Sequence, residues 1–448
     1  MTLTVIGGGG MRTPLLIGGL IERRLRLPVE RVVLHDLDPE ALELVAAVSG
    51  AMLSKAGHPF EVRTTTSLED ALEAPSCVIT SIRVGGLAGR VVDEQVPLAW
   101  GVVGQETTGP GGWAMALRTI PVLADLAGRI RSLRPSAWIV NFTNPAGLIT
   151  QALAAGGHRV IGICDGPPAL GDRIAAALGA KAADLRLDYL GLNHLGWVRG
   201  VQIGGAERLP EILASDELIR AIYGRPLFEP DEIRRLGLLP NEYLHYYYHH
   251  DELIKRLRAS PQTRGEAVAA VAADLRRTVM EAVRSKEDPL PRYQAAIFAR
   301  RSSYMAAETG VNRDLAMMGG HVEGGYARAA ISVIAAMLDP VTREVIVNTT
   351  NQGAIEDLEP EDVVEVPCSF GASGPMPRPM GPLPAAVREL VLRVKAYERA
   401  TVAAAAQRSW AAAVEALAMH PLVPSSEVAS GIAEEYRRRH SPYLDYLT

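Results

Sequence analysis

Over the first ~165 residues, short apolar runs alternate with stretches of helical periodicity. The candidate strands are Leu3 to Ile6, Arg31 to His35, Cys77 to Ser81, Trp138 to Val140 and Val160 to Ile163. Helical patterns lie between them, as in Pro39 to Lys55 and Pro121 to Ser132. This alternation predicts a parallel sheet with right-handed crossovers. After about residue 170 long helical patterns take over, including Glu252 to Arg258, Gly265 to Arg284 and Ala385 to Leu417. Strand-like pieces remain at Leu185 to Leu190, Val198 to Ile203, Glu344 to Val347 and Val363 to Val366. The stretch from Arg284 to Gly325 is the least regular and is long for a loop, so part of it is either functional or helical.

The first strand runs straight into Gly7-Gly8-Gly9-Gly10-Met11-Arg12-Thr13-Pro14. Glycine lets a backbone turn sharply and approach a pyrophosphate, and a helix N-terminus behind it offers free N–H groups. Thr13 can cap that helix, with Pro14 in its first position. Gly7 and Gly9 fit G-x-G-x-x-G, whereas Arg12 stands where the third glycine is expected. The second strand ends in Asp36, which can hold ribose hydroxyls and would repel a 2′-phosphate; this favours NAD over NADP. The expected fold class is α/β: a Rossmann-type parallel sheet over residues 1–168 and a mixed α+β C-terminal domain over 169–448.

The chain has 448 residues, 48% hydrophobic and 22% charged, the balance of a globular protein with more than one small core. The net charge of −5 and the lack of a basic run give no support for binding nucleic acid or an anionic membrane. No apolar stretch approaches the ~20 residues that cross a bilayer, and no signal peptide is visible. Cys77, Cys164 and Cys368 are few and far apart, which argues against a disulfide framework and fits a reducing cytoplasm.

Ligands of an open parallel sheet sit outside the carboxyl ends of its strands. Polar residues recur there: the glycine run, Asp36, Ser81-Ile82-Arg83-Val84-Gly85-Gly86, Asn141-Phe142-Thr143-Asn144-Pro145 and Cys164-Asp165-Gly166-Pro167. Any one could be a turn; together they describe a crevice. Arg83 is either a solvated loop residue or an oxyanion clamp. Asn141 and Asn144 either shape the turn before Pro145 or bond cofactor or sugar hydroxyls. Cys164 and His194 are ordinarily a buried hydrophobe and a structural histidine. As metal ligands they would leave positions open for a chelating substrate. Tyr243, Tyr246 and Tyr247 would share one helix face, for packing or, with a cation nearby, for general-base chemistry.

These motifs, taken in order with Gln105-Glu106-Thr107-Thr108-Gly109, Gly191 to Leu195, Asn348 to Gly353 and Val364-Glu365-Val366-Pro367-Cys368, resemble glycoside hydrolase family 4 over nearly the whole chain. The likeness is greatest to 6-phospho-β-glucosidases. It implies an exception to two-carboxylate glycoside cleavage. NAD⁺ takes a hydride from C3 of the sugar, and a base removes the acidified C2 proton. The glycosidic oxygen then leaves C1, water adds there, and the hydride returns.

By the same resemblance, Cys164 and His194 would hold Mn²⁺ or another divalent metal, Tyr243 would be the base, and Gly7, Gly8, Gly9, Arg12 and Asp36 would hold NAD. Asp165 resembles the leaving-group acid of the α-glucosidase branch; many β-branch members have Asn there. Arg83, Asn141 and Asn144 would contact substrate. Glu323 stands where many members have a phosphate-binding arginine, and Arg301, beside Arg300, could supply that charge instead. The family also implies a homodimer or homotetramer. The alternatives are the same mechanism on α-linked or unphosphorylated glycosides, a lactate/malate-type NAD-dependent dehydrogenase, and a non-catalytic NAD-binding sensor.

Overall fold

The computed structural model describes residues 1–224, 226–312, 324–338, 344–371 and 373–448. The apolar runs of the first third form β1 (Thr2–Ile6), β2 (Arg31–His35), β3 (Glu61–Thr65), β4 (Cys77–Thr80), β5 (Trp138–Asn141) and β6 (Val160–Gly162). They lie in the order β3-β2-β1-β4-β5-β6, every pairing parallel. The order reverses between β1 and β4, which makes their carboxyl ends a topological switch point. β1 and β4 are apolar on both faces because helices cover both; Leu3, Val5, Val78 and Ile79 are all fully buried. β3 has no counterpart among the expected strands. Its sequence, Glu-Val-Arg-Thr-Thr, is that of a sheet edge, largely exposed and polar.

The second half contributes β7 (Leu185–Leu192), β8 (Leu195–Ile203), β9 (Ala206–Glu207) and β10 (Leu239–Pro240), a smaller antiparallel sheet. It also contributes β11 (Val345–Thr350), β12 (Val363–Gly371) and β13 (Gly374–Pro377), which extend the first sheet beyond β6 in antiparallel fashion. The division expected at residue 168 falls inside the helix Gly166–Ala177. Residues from both sides of it share one sheet and one contiguous apolar core.

Three helix expectations change. The helix expected from Pro121 begins at Pro110 and runs to Leu133, with Pro121 inside it. The stretch from Ala385 to Leu417 is two helices, Ala385–Gln407 and Trp410–Met419, because Arg408 turns left-handed and Ser409 caps the second. The irregular stretch holds the helices Leu290–Ser302 and Ala306–Thr309. Among the described residues no helix is long and apolar enough to cross a membrane.

At the switch point Gly7 has φ +87°, and a Cβ there would stand 2.3 Å from the Ser81 carbonyl oxygen. Both the backbone conformation and the space exclude a side chain. Gly7→Ala is expected to lower the unfolding free energy by about 2 kcal/mol or more, measured by urea denaturation. A change below about 0.5 kcal/mol would contradict this reading of the turn.

Candidate active site

The glycine loop is fixed from β2. Gly7 and Gly8 donate to the His35 carbonyl at 2.9 and 2.8 Å, and Gly9 donates to Asp36 Oδ2 at 2.9 Å. Gly8 and Gly9 lie so close to Leu34 and Ala41 that a Cβ would stand 2.8 Å from either neighbour's. The expected cap is corrected: the helix starts at Thr13, Arg12 is the residue before it, and Pro14 is its second residue. The Thr13 N–H already bonds the Gly10 carbonyl at 2.9 Å, closing the turn one residue earlier. No side chain caps this ten-residue helix; Thr13 and Leu15 donate to the Gly10 and Arg12 carbonyls and Pro14 has no N–H, so what the helix start offers a pyrophosphate is the positive end of its dipole.

Cys164 follows β6, and its Sγ accepts the Gly166 N–H at 3.3 Å. His194 occupies the two-residue turn that joins β7 to β8, with φ +62°. A non-glycine residue in the left-handed region marks a strained, often functional position. The His194 ring lies flat on Tyr243, centroids 3.6 Å apart and planes within 5°. Asp165 pairs with Arg12 at 3.4 Å, and the Arg12 guanidinium lies 4.5 Å from the Tyr326 ring and 5.2 Å from Phe142. Gly325 packs on Asp165 with no room for a Cβ. Residues thirty or more apart in sequence thus meet in one crevice.

The crevice opposes negative charge at its Cys164 end. Burial pushes the Cys164 thiol well above its ordinary value, and Glu365 and Asp165 push it further. Burial raises the Tyr243 phenol likewise, with help from Tyr304, Asp165 and Cys164. His194 is held down to about 4 by burial, so it is neutral near pH 7. Glu365, on β12 and 1% exposed, lies behind this end. It accepts from Tyr189 at 2.9 Å, Asn193 at 3.1 Å and Asn348 at 2.9 Å, yet burial still raises it to about 7. A buried thiol and a neutral imidazole among carboxylates form a donor set that suits a divalent cation. Among the described residues no cluster of three or more His, Cys, Asp or Glu could hold a metal ion.

The other end carries surplus positive charge. Glu106 pairs with Arg83 at 2.6 Å and Arg90 at 3.1 Å. Burial would raise its carboxyl, but Arg83, Arg90 and Arg300 hold it at about 2. Arg90 also pairs with Glu94 at 2.9 Å. Arg264 donates to neutral groups, Ser303 Oγ at 2.8 Å and the Arg300 carbonyl at 2.7 Å. Arg300 is driven down to about 9 by burial and by Arg12, Arg90 and Arg264. Among the described residues its Nε has no hydrogen-bond partner. Such a cluster is relieved by an anion.

Some expected residues take other roles. Asn141 is fully buried; its Oδ1 accepts Thr80 Oγ1 at 3.0 Å and the Thr143 N–H at 3.1 Å, and its Nδ2 donates to Thr150 Oγ1 at 3.2 Å. Its side chain bonds the turn and the neighbouring strand and helix. Asn144 is half-buried beside Pro145, with no side-chain hydrogen bond among the described residues, and stays available. The three tyrosines diverge because a 3-10 turn, Glu242–Leu244, precedes the one-turn helix His245–Tyr248. Tyr246 donates to Glu308 at 2.7 Å, and Tyr247 faces His420. Arg300, the neighbour of Arg301, is one of the arginines whose charge acts on Glu106. Glu323 lies outside the described residues. Glu106 and Glu365 have no site role in the sequence reading, although an acid inside Val-Val-Glu-Val-Pro-Cys is a visible signal.

Comparison with known proteins agrees with this fold. The model for the family 4 glycosyl hydrolases matches residues 2–180, and the model for that family's C-terminal domain matches residues 189–423. A Bacillus subtilis protein described as a probable 6-phospho-beta-glucosidase is 33% identical over 99% of this chain and 97% of its own. The 6-phospho-beta glucosidase of Thermotoga maritima, solved with NAD and glucose-6-phosphate, is 28% identical with a TM-score of 0.82, covering 99% of both chains. A 6-phospho-alpha-glucosidase from gut microorganisms, solved with NAD and Mn²⁺, is 25% identical with a TM-score of 0.83, covering 99% of this chain and 98% of that one.

His420 lines the cavity beside His194 and Thr107. It accepts the Leu422 N–H at 3.1 Å, and burial holds it at about 3. Its folded value lies below the unfolded one of ~6.5, so unfolding takes up a proton between those values, and stability is lost as pH falls below 6.5. The stability gap between the native chain and His420→Gln is expected to narrow by about 2 kcal/mol from pH 6.5 to 5, by denaturant titration at each pH. A constant gap would contradict the buried neutral state.

Proposed function

The chain belongs to family 4 of the glycosyl hydrolases, and from that we propose that it hydrolyses the O-glycosidic bond of 6-phospho-glucosides, β-linked ones first. The observation that carries the reading is the division of charge in the crevice. The Cys164 end suits a divalent cation, and the Glu106 end, whose neighbour Thr107 touches His194, suits a phosphate. When bound, NAD would supply a reversible hydride acceptor and the divalent ion a Lewis acid for the sugar's C2 and C3 oxygens.

The chain's own residues then divide the work. Gly7, Gly8, Gly9 and the uncapped helix start hold the dinucleotide phosphates, and Asp36 its ribose. Cys164 and His194 hold the ion. Tyr243, flat against His194, takes the C2 proton; burial keeps the phenol protonated in the protein alone, so it serves as a base only when positive charge is added beside it. Asp165 gives a proton to the leaving oxygen and is oriented by Arg12. Arg83 and Arg300 receive the phosphate, and Asn144 a sugar hydroxyl. Asp165 also supports a second reading, α-linked substrates, because a carboxyl stands at the position where the α-glucosidase branch carries its leaving-group acid.

Paired p-nitrophenyl α- and β-glucosides, with and without a 6-phosphate, test this in the presence of NAD⁺ and Mn²⁺. Phosphorylated substrate is expected to be cleaved without net NADH, and the plain glucosides to be poor substrates. Arg300→Met relieves arginine repulsion, so it is expected to fold and to raise KM for the phosphorylated substrate roughly 30-fold or more. Equal kcat/KM for plain and phosphorylated glucosides would overturn the phosphate reading, and net NADH without cleavage would favour a dehydrogenase.

A further inference from the structure

Gln105 and Thr107 stand between the two ends of the crevice. The backbone N–H groups of Thr107 and Thr108 both donate to Gln105 Oε1, each at 2.6 Å, which identifies that atom as the amide oxygen. The same oxygen lies 2.9 Å from Thr107 Oγ1. An amide oxygen only accepts, so the Thr107 hydroxyl must donate to it. That hydroxyl also lies 2.9 Å from His194 Nδ1. Its one proton is already used, so it can only accept there, and Nδ1 must carry the hydrogen. A neutral imidazole with hydrogen on Nδ1 has a bare lone pair on Nε2.

The segment is held firmly enough to impose this choice. Gly111 and Gly112 lie against the Gln105 and Thr107 carbonyl oxygens, where a Cβ would approach to 2.1 and 2.3 Å. Gln105 is 8% exposed and Thr108 3%. On the other side Tyr243 fixes the plane of the ring.

We propose that Thr107, braced by Gln105, is a positioning residue that sets the tautomer of His194 and turns its Nε2 lone pair to the reaction site. The consequence for metal binding rests on the reading of His194 as a ligand; the tautomer itself does not.

Full-length protein labelled with ¹⁵N-histidine and freed of metal gives the tautomer directly from long-range ¹H–¹⁵N correlations at pH 8. The His194 signals are identified by their loss in His194→Gln. The native chain and Thr107→Ser are expected to show hydrogen on Nδ1, and Thr107→Val to shift the population toward hydrogen on Nε2. Calorimetry with Mn²⁺ is expected to show affinity lowered about 10- to 100-fold in Thr107→Val and nearly restored in Thr107→Ser. Hydrogen on Nε2 in the native chain, or an unchanged tautomer in Thr107→Val, would overturn the proposal. A native chain that takes up no Mn²⁺ but shows the expected tautomers would overturn the ligand reading alone.

Discussion

Charge buried without its complement is the constraint around which this molecule is arranged. A thiol and a phenol are held protonated by burial and by nearby carboxylates, while a neighbouring set of arginines crowds a few acids. Arg12 answers Asp165, and Arg83 and Arg90 answer Glu106, but among the described residues Glu365 at one end and Arg300 at the other have no ion pair. Water cannot balance them cheaply either, because the groups are largely enclosed. A cation at one end and an anion at the other would satisfy both, and a phosphorylated sugar chelating a divalent ion brings both at once.

The fold puts these ends together by joining two sheets. The parallel strands deliver the glycine loop, Arg83 and Cys164 to one edge, as their order and direction require. The turn between β7 and β8 delivers His194 from the other sheet. Glu365 locks the two: it stands on β12, which the second half adds to the first sheet, and accepts from Tyr189 on β7 of the smaller sheet and from Asn193 in the turn after it. This is also why the halves share a core rather than meeting at a linker.

Much of this was legible in the chain. The apolar runs marked five of the six parallel strands, and polar residues after them marked the crevice edge, because a buried parallel strand leaves a strong local pattern. Cys164, Asp165 and His194 were legible only through their motif context, since a lone cysteine or histidine has no local signature. What stayed hidden depended on distant partners. Glu106 meets Arg300 from nearly 200 positions away, and nothing near either residue shows that. Asn141 stays ambiguous in the sequence because a turn-forming amide at a strand end looks the same whether it bonds a ligand or its own loop, as this one does. β3 escaped because an edge strand lacks the apolar alternation that identifies a covered one.

The central claim is that the glycosidic bond is broken by way of proton removal at C2, with Tyr243 as the base, and not by direct displacement at C1. Hydrolysis of p-nitrophenyl 6-phospho-β-glucoside in D₂O with NAD⁺ and Mn²⁺, followed by NMR of the glucose 6-phosphate formed, tests it most directly. The account predicts deuterium at C2 of the product. Complete turnover to a product carrying only hydrogen at C2 would contradict it.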